Sequence, residues 1–151
     1  MKKRILFLAF VAAVLGVADE TRAQPACIQL IRKFNAQPGA DYLIKFSNID
    51  NRAEVLVNGM RVFNEAANGS VSFEQNISTF LSPHVANTVV IKGINQAYPG
   101  GHGGNPGELD YTIVRNTLPP STIVTMACPG PDWRGGTEQL FVTHTYEITV
   151  P

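Results

Sequence analysis

No stretch of this sequence is long and apolar enough to cross a bilayer comfortably. The candidate run, Ile5 to Ala18, has fourteen residues, whereas a spanning helix needs about 20. Clustered basic residues are also missing and the formal net charge is zero, which argues against a phosphate-seeking, nucleic-acid-binding surface. Hydrolase signatures are absent: there is no "GxSxG", no "HExxH", and the serines lack a nucleophile elbow. The chain therefore reads as non-enzymatic. No repeat of fixed period, low-complexity tract or linker divides it, so one domain is expected.

The first residues have a different logic. Lys2, Lys3 and Arg4 precede the short apolar run and small residues follow it, the pattern of a secretory signal. Cleavage after Ala23 is preferred over cleavage after Ala18, giving a signal peptide over 1–23 and a single domain over 24–151. Lipid attachment at Cys27 is the competing idea, but "QPAC" lacks a leucine three residues before the cysteine. A soluble, secreted or periplasmic protein with no membrane span is expected. Removing residues 1–23 takes away four of the twelve basic and two of the twelve acidic side chains, leaving a slight negative excess.

Cysteine occurs only twice, at Cys27 and Cys128. In an oxidising compartment such a pair forms one disulfide, and closing a loop of about 100 residues stabilises by roughly 4–5 kcal/mol in the chain-entropy model. Metal binding is not expected from two distant cysteines with no histidine beside them in sequence. Among the histidines, His84 is isolated, His144 alternates with Val142 and Tyr146 as a sheet residue, and His102 sits in a glycine-rich loop.

Successive segments read as strands and none as a long helix: "CIQLIRKF", "DYLIKFSNI", "AEVLVNGMRVF", "SVSFEQNIS", "TVVIKGI", "LDYTIVRN", "STIVTMAC" and "QLFVTHTYEITV". "AQPGA" predicts a reversal. Asn58-Gly59 predicts a type I′ hairpin turn between two short strands, because both residues tolerate positive φ. In "QLFVTHTYEITV", period-two counting puts Leu140, Val142, His144, Tyr146, Ile148 and Val150 on one face. A short helical or irregular turn is expected in "ISTFLSPHVAN". Many short strands with frequent turn residues predict an all-β fold, an antiparallel β-sandwich.

"NIDNRAEVLVNGMRVF" followed by "ISTFLSPHVANTVVIKGIN" resembles the galactose-binding-domain-like jelly roll, a small sandwich found in sugar-binding domains and lectins. The similarity covers about Asp41 to Asn95 and concerns scaffold residues, so it implies fold more directly than function. A weaker resemblance, to calcium-dependent galactophilic bacterial lectins, lies in "NQAYPGGHGGNPGEL" through Asn95, Pro99, Gly100, Asn105 and Gly107. It implies calcium-assisted sugar binding. However, Gln96 replaces an acidic ligand of that family and Gly104 an asparagine, and calcium prefers about six to eight oxygen ligands. No cofactor is therefore expected, and calcium is the one the resemblance leaves open.

Sugar recognition needs an aromatic platform and planar polar groups beside it. The only tryptophan, Trp133, lies between Asp132 and Arg134 in a turn-rich stretch, while Tyr98, His102 and Asn105 lie on the glycine-rich loop "YPGGHGGNPG". These six residues are the candidate ligand-binding set, provided the two loops meet at one end of the fold. The alternative for Trp133 is a ring folded back over the core. Glu108 and Asp110 share a strand face, a spacing seen in carboxylate catalysis and on ordinary solvated sheets. A glycosidase would need such groups across a cleft, about 5 to 10 Å apart. Two function classes result: a carbohydrate-binding, lectin-like module, or a protein-binding accessory, inhibitor or adaptor of the bacterial envelope using the same loops. An exposed edge strand with long apolar side chains would favour the second, and a shallow polar cleft beside Trp133 the first.

Overall fold

Alternation of apolar and polar residues shapes the chain into β1 (Leu30–Asn35), β2 (Asp41–Val57), β3 (Met60–Asn76), β4 (Ala86–Asn95), β5 (Asn105–Asn116), β6 (Ser121–Trp133) and β7 (Gln139–Thr149), with one 3₁₀ turn at Ser78–Phe80. The computed structural model describes residue 27 and residues 30–96, 105–133 and 136–151, with the backbone alone at 30, 31, 105, 106 and 131–133. The expected signal segment lies outside the described residues. Within them, no helix is long and apolar enough to cross a membrane.

The Asn58-Gly59 turn is present, with φ of 50° and 82°, which suits the right-handed twist of the flanking strands. The two strands it joins are far longer than expected. "DYLIKFSNI" and "AEVLV" form one continuous β2, and "MRVF" runs on through "SVSFEQN" as β3. What unites them is a corner at Asn51. One edge of β2 pairs with β3 on both sides of that corner. The other edge pairs with β5 from Asp41 to Asp50, then with β4 from Arg52 to Val57. Asn51 has φ 83°, a left-handed conformation that asparagine adopts more readily than most residues.

The sheet path β1-β7-β4-β2-β5-β6 therefore bends into two layers that share β2. One buried cluster fills the space between them, including Ile44, Phe46, Ile49, Val55, Ile91, Leu109, Tyr111, Val142 and Tyr146. Phe46, before the corner, stacks on Phe63 of β3 with ring centroids 4.7 Å apart; Phe63 pairs with Val55, beyond the corner. The architecture is an all-β sandwich. Its pairings are antiparallel except that β1 runs parallel to β7, because the chain enters and leaves this edge in the same direction.

β1 and β6 end the path, and the Cys27–Cys128 disulfide joins them with Cα atoms 5.7 Å apart. The staple thus closes the side of the sandwich opposite the shared strand. At the β4 edge, Asn87 is fully buried and organises the loop before it. Its Oδ1 accepts from Ser82 N–H (2.7 Å) and Asn58 Nδ2 (2.8 Å), while its Nδ2 donates to the carbonyls of Ser82, Val85 and Ile148.

Candidate functional site

The two candidate loops join the sheet at one end. Across β5 and β6, Asn105 lies opposite Trp133 and Pro106 opposite Asp132. The register therefore brings the base of the glycine-rich loop beside the "DW" segment, which the sequence alone could not establish. Tyr98, His102 and Arg134 lie outside the described residues, and for Asn105, Asp132 and Trp133 only the backbone is described.

Beneath this end the strands converge on Phe141. The expected alternation in β7 holds from Val142 to Ile148 but fails at its start. A bulge between Gly93 and Ile94 leaves Ile94 opposite Leu140, so Leu140 turns outward (53% exposed) and Phe141 inward (5%). An extra residue in one strand reverses which side chain faces the core. The Phe141 ring occupies a slot walled by Gly93, Gly107 and Gly130, where an added Cβ would lie 2.7–2.8 Å from ring atoms. A Cβ at Gly107 would also collide with Asn95 Oδ1. Asn95 is itself buried and accepts from Asn51 Nδ2 at 3.3 Å. Asn95 and Gly107, two residues of the lectin-like pattern, thus act as scaffold that ties the loop base to the β2 corner.

A polar cluster lies at the β2 corner. Arg52, next to the corner, makes a bidentate pair with Glu138 at 2.7 and 2.8 Å, fixing the chain just ahead of β7. Its guanidinium also lies 3.5 Å from the buried Glu54 carboxylate. Among the described residues, Arg52 Nε and Gln139 Oε1 are buried without a hydrogen-bond partner.

Glu108 and Asp110 do share a face, alternating with buried Leu109 and Tyr111. They stand in cross-strand rows opposite Asp50 and Asn48 respectively. Partial burial raises the Asp110 pKa above the usual carboxylate range and the Glu108 charge raises it further, while a hydrogen bond from the Cys128 backbone opposes both. This is an outward sheet row crowded with like charge.

A second polar group lies inside the sandwich. His144 is fully buried; its Nδ1 is 2.5 Å from the Tyr111 hydroxyl, which is 2.6 Å from the Tyr146 hydroxyl. Nε2 faces Cys128 Sγ at 3.8 Å. The cysteine pair therefore has a histidine beside it after all, brought there because β7 and β6 face each other across the core. Burial lowers the His144 pKa and the Arg32 charge lowers it further, despite a hydrogen bond to the Cys27 backbone that raises it. Burial likewise raises the Tyr111 and Tyr146 pKa values. The sequence signal for this group was partial: His144 and Tyr146 fall on one face by counting, but nothing local places Cys128 or Tyr111 against them.

A pocket of about 110 Å³ opens between Ala36–Ala40, Tyr42, Ser78, Leu81, Pro83 and Val150. Tyr42 lies near the Asn116 end of β5, away from the Asn105–Trp133 pair, so this is not a cleft beside Trp133. No protein-family model, curated protein or solved structure matches this chain.

Proposed function

We propose that this chain is a secreted or periplasmic, non-catalytic carbohydrate-binding module of the galactose-binding-like jelly-roll type, with its ligand rim at the joined ends of β5 and β6. The observation that carries the reading is the pairing of Asn105 with Trp133 and of Pro106 with Asp132. It sets Asn105 and Trp133 in one cross-strand pair, with Asp132 in the next, on a base stiffened by Phe141 and the Arg52–Glu138 pair. That combination suits a sugar, whose apolar face stacks on an aromatic ring while its hydroxyls take planar hydrogen-bonding groups. Arg134, Tyr98 and His102, adjoining this end in sequence, would extend the same surface.

The test uses Trp133 as the only tryptophan. Its fluorescence is followed while the protein is titrated with mono- and oligosaccharides, with calcium and with chelator. A saturable change with one sugar class is expected, and its loss under chelator would add calcium to the site. A blue-shifted emission indifferent to every sugar would overturn the reading.

One observation favours the second reading, a protein-binding accessory. β3 offers seventeen residues without a proline, and among the described strands it pairs only with β2. A free edge of this length is a template for strand addition by a partner. Binding that survives Trp133→Ala but is lost on placing proline in β3 would select this reading over the first.

A further inference from the structure

We propose that Cys27, Cys128 and His144, once the disulfide is reduced, form a coordination site for a thiophilic cation such as zinc, through two Sγ atoms and Nε2, with water as the fourth ligand. The three ligand atoms already lie within 4.8 Å of one another. Zinc binds thiolate sulfur at about 2.3 Å and imidazole nitrogen at about 2.0–2.1 Å in tetrahedral sites. Those lengths require a sulfur–nitrogen edge of roughly 3.6 Å, and Cys128 Sγ stands 3.8 Å from Nε2. The two bonded sulfurs must separate, and rotation of the partly exposed Cys27 side chain moves its Sγ to do so.

The surroundings favour the same role. A ligating histidine generally engages its second ring nitrogen in a hydrogen bond that fixes tautomer and orientation. Here Nδ1 is hydrogen-bonded to the Tyr111 hydroxyl, which is hydrogen-bonded in turn to that of Tyr146; with Nε2 on the metal, Nδ1 carries the ring proton and donates it to the Tyr111 oxygen. Two thiolates and a neutral imidazole balance a dication, so the loaded site places no net charge in the core. Cys128 and His144 are fully buried, whereas Cys27 is partly exposed, giving reductant and metal a point of access.

The electron count closes with an exogenous dithiol. Two electrons and the dithiol's two protons pass to the two sulfurs, the S–S bond breaks, the reductant leaves as its own disulfide, and two thiols remain. Metal binding then displaces one proton from each thiol.

The test titrates cobalt(II), then zinc, into the oxidised protein and into protein reduced by a phosphine that is removed beforehand. One equivalent of cobalt should give the reduced protein thiolate-to-metal charge-transfer absorption and tetrahedral visible bands, which zinc abolishes. Zinc should raise the melting temperature of the reduced protein and leave that of the oxidised protein unchanged. Tyr111→Phe, which keeps all three ligands and nearly the full core volume, should weaken binding about 10–100-fold, and His144→Gln should lose the tetrahedral bands. Absence of the bands from the reduced wild type would overturn the proposal. So would equal binding by the oxidised protein, or undiminished affinity in both variants.

Discussion

If the Phe141 ring occupies a slot that only glycine can wall, adding one methyl group at Gly93 should have opposite effects depending on what residue 141 is. All three atoms that a Cβ at Gly93 would meet belong to this ring, at 2.8, 3.1 and 3.1 Å. Carbon atoms pack best at about 3.5–4.0 Å, so the overlap approaches 1 Å and the ring cannot retreat without entering Gly107 or Gly130. Gly93→Ala alone should therefore destabilise by about 1–3 kcal/mol, as overpacked cores do. Phe141→Ala alone should cost about 3–5 kcal/mol through lost burial and a cavity. In the Phe141→Ala background the clash disappears. There Gly93→Ala should instead stabilise by about 0.4–1 kcal/mol, because Gly93 does not adopt a positive φ and alanine reduces the entropy of the unfolded chain. The assay is urea unfolding of the four proteins of the cycle, with denaturant slopes compared to check that the unfolded states match. Additivity within about 0.5 kcal/mol, with Gly93→Ala equally costly in both backgrounds, would refute the slot.

Asn87→Ala should destabilise by about 2–4 kcal/mol, since it removes the hydrogen bonds by which a fully buried amide ties three segments together; urea unfolding would measure this, and a cost below about 0.5 kcal/mol would place the amide among ordinary surface contacts. Asp110→Asn should stabilise the protein at pH 7 by about 0.5 kcal/mol, the scale of a cross-strand like-charge contact. The sign follows from the raised Asp110 pKa: its contribution is fully present below the unfolded value of 3.8 and is lost as pH rises through the folded value. The melting temperatures of variant and wild type should therefore converge below about pH 4 and separate above it.

Strand positions were legible because each inward face alternates cleanly: Val89 and Ile91 in β4, Leu109 through Ile113 in β5, Val142 through Ile148 in β7. The Asn58-Gly59 turn was legible because its residue types answer a backbone requirement. The corner at Asn51 was hidden, because alternation continues past it and only a change of hydrogen-bonding partner reveals it. The bulge that exchanges Leu140 for Phe141 was hidden for the complementary reason, since both are large and apolar and only β4 decides which turns inward. As for the site, local residues suggested Trp133, Asp132 and Asn105, but their adjacency is a long-range register between β5 and β6. Cys128, His144 and Tyr111 come from three different strands, and no spacing in the chain encodes their meeting.

The parallel pairing of β1 with β7 also sets a timetable for folding. Lys33 of β1 meets Glu147 of β7 across 114 positions, and β7 is the only strand with which β1 pairs among those described. During synthesis β1 emerges first and must wait, unpartnered, until β7 has left the ribosome. The early segments can form hairpins with their neighbours, but the edge that closes the sandwich is among the last to assemble. Contacts of such long sequence separation are entropically slow to form, so the β1–β7 edge is the slow step in closing the sandwich.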